Sequence, residues 1–166
     1  MRIREGGPED AATVLALFDE AIAWLVARGQ IGQWGSRPFS EIDARVAAAA
    51  EWAASGGLRI ACEGEEPVGA LVLGARPEHV SPAPRAERYI TALVTSRAHA
   101  GKGIGAELVH RAIKETRTAG LSLLRVDCWA GAPSLVEWYE RQGFHRSGTF
   151  SVRGWHGQVL SMELPR

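Results

Sequence analysis

The sequence is short of the features that mark several classes of protein. It has two cysteines in 166 residues, too few for the disulfide framework of a small secreted chain. Cys62 and Cys128 lie in apolar, strand-like runs and read as buried thiols of a reducing compartment. No cysteine and histidine group has ligand spacing, so no metal is expected. No apolar run approaches the ~20 residues of a membrane span. The opening stretch MRIREGGPED lacks the apolar segment of a signal peptide. These absences predict a cytoplasmic protein with no membrane partner. Charge of one sign is also missing: 19 basic residues balance 19 acidic ones. Arg2, Arg4, Arg85, Arg88 and Arg111 are scattered, which argues against a nucleic-acid partner held by bulk charge. There is no internal repeat or low-complexity tract.

What is present suits one globular domain spanning residues 1–166, with 46% hydrophobic and 23% charged residues. MRIREG alternates like a short strand. Gly7-Pro8 offers a helix start, and Val14, Leu15, Phe18, Ala21, Ile22, Leu25 and Val26 recur at helical spacing up to a stop at Gly29. SEID at 40–43 matches a capping box with Ser40 as N-cap, which predicts a helix to about Ala54. LRIACE, EEPVGALVLG and RYITALVTS read as strands, the first two joined by a polar turn. A helix with Ile104, Leu108, Val109, Ala112 and Ile113 on one face ends at Gly120. LSLLRVDCW reads as a strand, and the next helix runs from Pro133 to Gln142. FHRSGTFSV and GQVLSMEL flank a turn at Gly154. The order β-α-α-β-β-β-α-β-α-β-β is a mixed α/β pattern of the α+β type. It combines antiparallel hairpins with a central βαβ crossover.

HAGKGIGAEL, at 99–108, places Gly101, Gly103 and Gly105 where a helix begins. Glycine there costs about 1 kcal/mol against alanine. One explanation is tight packing of the helix start against a strand. The other is a phosphate cradle, because first-turn N–H groups lack internal partners and no Cβ blocks their approach. Lys102 adds a point charge or is simply solvated. A Walker loop would need Gly-Lys-Ser/Thr, which is absent. Gly101-x-Gly103-x-x-Ala106, with Asp127 about twenty residues on, matches a dinucleotide fingerprint. Residues 96–100 intervene after the strand, however, and too few βα units follow. A dinucleotide-binding oxidoreductase is therefore the weaker alternative.

LVTSRAHAGKGIGAELV together with LVEWYERQGF resembles the GNAT superfamily of acetyl-CoA-dependent N-acetyltransferases. The specific part runs from about Tyr89 to Phe144. The resemblance implies a mixed, mostly antiparallel sheet with helices on both faces. It implies acetyl-CoA as co-substrate and an amine of a small molecule or peptide as acceptor. Ala100, Gly101, Lys102, Gly103, Ile104, Gly105 and Ala106 would form the pyrophosphate loop. Gly103 and Gly105 match the family's Arg/Gln-x-x-Gly-x-Gly/Ala, and Gly101 matches the common preceding glycine. Ala100 stands where Arg or Gln is usual. The loop counts about one residue longer than V-x-P-x-x-R-G from Val94, and Arg97 or His99 is the candidate substitute. Backbone near Leu93, Val94 and Thr95 would pair with the pantetheine arm. Terminal strands of such folds often pair across dimers, so a homodimer stays open. A non-catalytic acyl-CoA-sensing module is the other alternative.

Acetyl transfer to an amine needs a neutral amine and a proton for the departing thiolate. Tyr139, in WYERQGF, matches the family's Y-E-x-x-G-F, whose tyrosine often serves as general acid; it also shares a helix face with Leu135 and could be core. Ser134 is a candidate coenzyme contact, because Ala132 replaces the family's usual Asn. Asp127, Glu87 and Glu20 are candidate bases, or ordinary solvated or paired carboxylates. Among six tryptophans, Trp34 and Trp129 could line an acceptor pocket beside Asp127 or simply pack. Trp24 and Trp52 read as packing residues.

Overall fold

A computed structural model describes residues 1–165. The described residues form strands β1 (Arg2–Glu5), β2 (Leu58–Glu63), β3 (Glu66–Gly74), β4 (Arg88–Thr95), β5 (Leu123–Trp129), β6 (His145–Val152) and β7 (Trp155–Glu163). The helices are α1 (Ala11–Ala27), α2 (Asp43–Ala54), α3 (Ile104–Thr118) and α4 (Pro133–Arg141). The strand order is β1-β2-β3-β4-β5-β7-β6. β1–β2, β2–β3, β5–β7 and β6–β7 are antiparallel, whereas β4 and β5 are parallel. The element order is the one expected from periodicity. By contact the chain forms two compact units.

The first unit comprises Met1–Val72 and Ala92–Leu108. Its α1 buries Val14, Phe18, Ala21, Ile22 and Leu25 of the stripe read from helical spacing, together with Leu17, whereas Leu15 is half-buried and Val26 exposed. All of these buried residues but Leu25 cluster with Leu58, Ile60 and Cys62 of β2 and Ala70 and Val72 of β3. Each fully buried large aliphatic or aromatic side chain contributes about 1.5–3 kcal/mol. Phe18 is the hub of an aromatic group. It stacks on Phe39 at 4.9 Å and meets Trp34 edge-on at 5.0 Å and Trp52 at 5.9 Å. Before α1, a short 3-10 turn covers Pro8–Asp10. Asp10 accepts two bonds from the Arg4 guanidinium, at 2.8 and 3.0 Å, and one from Gly7 N–H at 2.9 Å. The Arg4 bond, partly opposed by burial, holds its carboxyl below the ordinary range.

The capping box expected at Ser40 does not form. Phe39–Glu41 is a separate 3-10 turn and Ile42, extended at φ −116° and ψ 111°, precedes α2. Ser40 instead donates its hydroxyl to Asp19 of α1 at 2.6 Å, and its N–H follows at 3.2 Å. The stronger, charge-assisted acceptor across the fold displaces the local cap.

The second unit comprises Leu73–Thr91 and the chain from Val109 on. β6 and β7 form a hairpin through Arg153 (φ 50°) and Gly154 (φ 80°). β5 alternates: Leu124, Val126 and Cys128 share one face, and Arg125 and Asp127 the other. Beside Arg125 lies Tyr89 of β4 in parallel register. Val80, Tyr89 and Val159 form a small buried cluster with Phe150 against it. Arg125 is bidentate to Glu87 and also donates to Ser81 carbonyl at 3.1 Å. Both partners of that ion pair are nearly buried.

Candidate functional site

β4 ends at Thr95, and counted from there the chain reaches Gly101 in the V-x-P-x-x-R-G spacing. Parallel pairing with β5 is recorded at Arg88↔Leu124, Tyr89↔Arg125 and Ile90↔Val126. Leu93, Val94 and Thr95 take no part in it. Ser96 N–H bonds Val68 carbonyl at 2.8 Å, and Arg97–His99 form a 3-10 turn.

Gly101 and Gly103 adopt φ of 81° and 74°, the left-handed region where a Cβ is unfavourable. A Cβ built at either meets no atom within 4 Å. The tight-packing explanation therefore fails at these two positions: they bend the backbone and leave open space beside it. Glu107 N–H reaches Gly103 carbonyl at 3.0 Å. The N–H groups of the helical residues before it are the orphan donors of a helix start, where the macrodipole adds about half a positive charge. Ile104 is buried while Lys102 is exposed. Packing does explain a different glycine, Gly69 of β3. A Cβ there would stand 2.9 Å from Ile104 Cγ2 and 3.1 Å from Leu108 Cδ1. Gly69 lets the start of α3 settle onto the sheet.

Neither substitute for the missing Arg or Gln at Ala100 is free. The Arg97 guanidinium lies 3.7 Å from the Trp24 ring centroid, with its Nε buried and without a hydrogen bond. His99 places Nδ1 3.2 Å from Ser96 Oγ and Nε2 3.7 Å from Glu66. Both side chains are thus engaged within the protein, whereas the backbone at Gly101 and Gly103 faces open space.

In the second unit, Tyr139 is buried on α4. Its ring meets Trp138 at 5.0 Å and 80°, and Phe144 at 5.8 Å and 89°. Burial pushes the phenol upward, with smaller contributions from Cys128 and Asp127. Burial likewise pushes the Cys128 thiol up to about 12, so it stays a thiol. Asp127 accepts the Tyr89 hydroxyl at 2.6 Å. Burial raises its carboxyl, opposed by that bond and by His79. Tyr89 is the residue that sequence reasoning missed; its only signal was an inward position on a strand. Trp129 folds over Gly131, where a Cβ would be 2.4 Å from the indole. Ser134 is exposed in the first turn of α4. Trp34, in the first unit, packs on Phe18 and Phe39.

A helix that opens on left-handed glycines offers first-turn amides to an anion, the arrangement that phosphate-binding sites use. Residues 16–144 match the acetyltransferase (GNAT) family, and the chain belongs to it. Among solved structures it is similar to a ribosomal-protein-alanine N-acetyltransferase from Brucella melitensis. That match has 19% identity, covers 99% of this chain and 100% of that one, and has a TM-score of 0.72. It is also similar to a putative acetyltransferase from Salmonella typhimurium with its cofactor acetyl-CoA, at 19% identity, 100% and 95% coverage and a TM-score of 0.70. A GCN5-related N-acetyltransferase from Rhodopseudomonas palustris gives 25% identity, 98% and 95% coverage and a TM-score of 0.70. No match was found among the curated proteins. Among the described residues, no helix is long and apolar enough to cross a membrane and no side-chain group could hold a metal ion.

Proposed function

We propose that this chain is a single N-acetyltransferase domain that moves the acetyl group of acetyl-CoA onto a primary amine of a small-molecule or peptide acceptor by direct attack. Acetyl-CoA supplies an activated thioester. Backbone amides around Gly101–Ala106 hold its diphosphate, and backbone at Leu93–Thr95 pairs with its pantetheine arm. Membership of the family and the open, left-handed glycine loop support this part.

The observation that carries the amine chemistry is how three carboxylates are used. Glu87 is locked to Arg125, and Glu20 accepts backbone N–H groups. Asp127 has no ion pair among the described residues and sits desolvated against Tyr89. A raised carboxyl is the better proton acceptor for an alkylammonium whose ordinary pKa is about 10.4. Asp127 takes that proton, and Tyr89 O–H fixes the receiving carboxylate. Tyr139, held protonated by burial, gives its hydroxyl proton to the leaving sulfur. Trp129 lines the acceptor side.

The test is release of free thiol from acetyl-CoA with a panel of primary amines, with each product confirmed by mass. Turnover with an amine supports the proposal. Tight acetyl-CoA binding without turnover on any amine favours a sensing module. Thermal protection by NAD but not by acetyl-CoA would refute the whole reading.

A further inference from the structure

We infer that Glu20 is a positioning residue of the coenzyme loop. Its Oε1, on α1, accepts the Ser96 hydroxyl at 3.1 Å, Arg97 N–H at 2.7 Å and Ala98 N–H at 3.3 Å. One helical turn on, Trp24 carries the Arg97 guanidinium against its ring at 3.7 Å, with Arg28 at 3.8 Å. The turn closes on itself through His99 N–H to Ser96 carbonyl and Ala100 N–H to Arg97 carbonyl. One face of α1 therefore grips the segment between the end of β4 and Gly101. A carboxylate that takes two backbone donors and a hydroxyl is a strong, charge-assisted anchor. It also withholds those two amides from any incoming anion, so the donors offered to a diphosphate begin at the glycines. A loop with three glycines in five positions is costly to order. Anchoring its entry from α1 removes part of that cost before the coenzyme arrives. The inference rests on the glycine-loop reading above and assigns Glu20 a role other than base.

The experiment is calorimetric titration of acetyl-CoA into the parent protein and into Glu20→Ala, Glu20→Gln and Asp19→Ala. Melting of each ligand-free protein is recorded alongside. Asp19 is the neighbouring α1 carboxylate that holds Ser40 instead of the loop. Glu20→Ala is expected to raise the acetyl-CoA Kd about tenfold, the loss of one charge-assisted anchor. Glu20→Gln keeps an acceptor oxygen and is expected to fall between it and the parent. Asp19→Ala is expected to bind like the parent even where its melting temperature drops. With an amine that turns over, the KM for acetyl-CoA should rise while kcat at saturation stays put. Parent-like affinity in both Glu20 variants would overturn the inference. So would an equal loss in Asp19→Ala, or a collapse of kcat with Kd unchanged. A parent protein that does not bind acetyl-CoA overturns the glycine-loop reading itself, a separate result.

Discussion

Replacing Tyr139 by phenylalanine removes one hydroxyl and leaves the packing of α4 in place. The ring contacts to Trp138 and Phe144 are edge contacts of the six-membered ring, which phenylalanine keeps. The hydroxyl has no hydrogen-bond partner among the described residues. Its removal orphans nothing, and the stability change should stay below about 0.5 kcal/mol. Burial holds the phenol protonated well above neutral pH. It is therefore available as a donor across the whole assay range and adds no basic limb to the pH profile there. A departing thiolate accepts a proton at about pKa 8.5. Losing the positioned donor should lower kcat by about 10²-fold or more, or about 2.7 kcal/mol of barrier. The coenzyme Kd should hardly move, because the donor acts on charge that develops late. The assay is thiol release with an amine that turns over, with calorimetric Kd and thermal melting on the same preparations. A kcat within about threefold of the parent would refute the assignment. A fall in kcat matched by a collapse of melting temperature would show that Tyr139 acts through packing.

Gly103→Ala forces a Cβ onto φ 74°; the strain of about 1 kcal/mol should weaken acetyl-CoA about fivefold, measured by titration, and unchanged affinity would remove the cradle. Asp127→Asn should lower kcat/KM strongly and abolish the acid limb, because a raised carboxyl that must be ionised loses activity as pH falls through its pKa; a parent-like profile would clear Asp127. Asp10→Asn should cost about 1 kcal/mol near pH 7, a figure reduced because Arg4 is about a third exposed. Asp10 is depressed by the Arg4 bond. Its contribution is therefore present above the ordinary carboxylate pKa and lost as pH falls through the lower folded value, so the difference should shrink in urea melts carried to progressively lower pH.

Much of the frame is written in local patterns. The spacing of Val14, Phe18, Ala21, Ile22 and Leu25 determined α1 and most of its buried face, because a 3.6-residue period leaves one stripe to bury. Gly29, Gly101, Gly103, Gly120 and Gly154 mark reversals because only glycine enters the left-handed region cheaply. The glycine signature and WYERQGF likewise carried the family, since backbone donors at a helix start depend on neighbours in the chain. Ser40 shows where local pattern fails: its cap competes with Asp19, twenty-one residues back, and a charged acceptor prevails.

The use of the carboxylates was decided by tertiary structure alone. Asp127, Glu87 and Glu20 are equivalent in the sequence. Folding brings Arg125 to Glu87 across 38 residues, Tyr89 to Asp127 across the same interval, and Ser96 to Glu20 across 76. The same holds for Trp34, turned onto Phe18, and for Arg97, laid on Trp24. Periodicity and dihedral preference are properties of neighbours, so one sequence displays them. Desolvation and ion pairing depend on which distant groups share a volume, and only the packed sheet and helices set that.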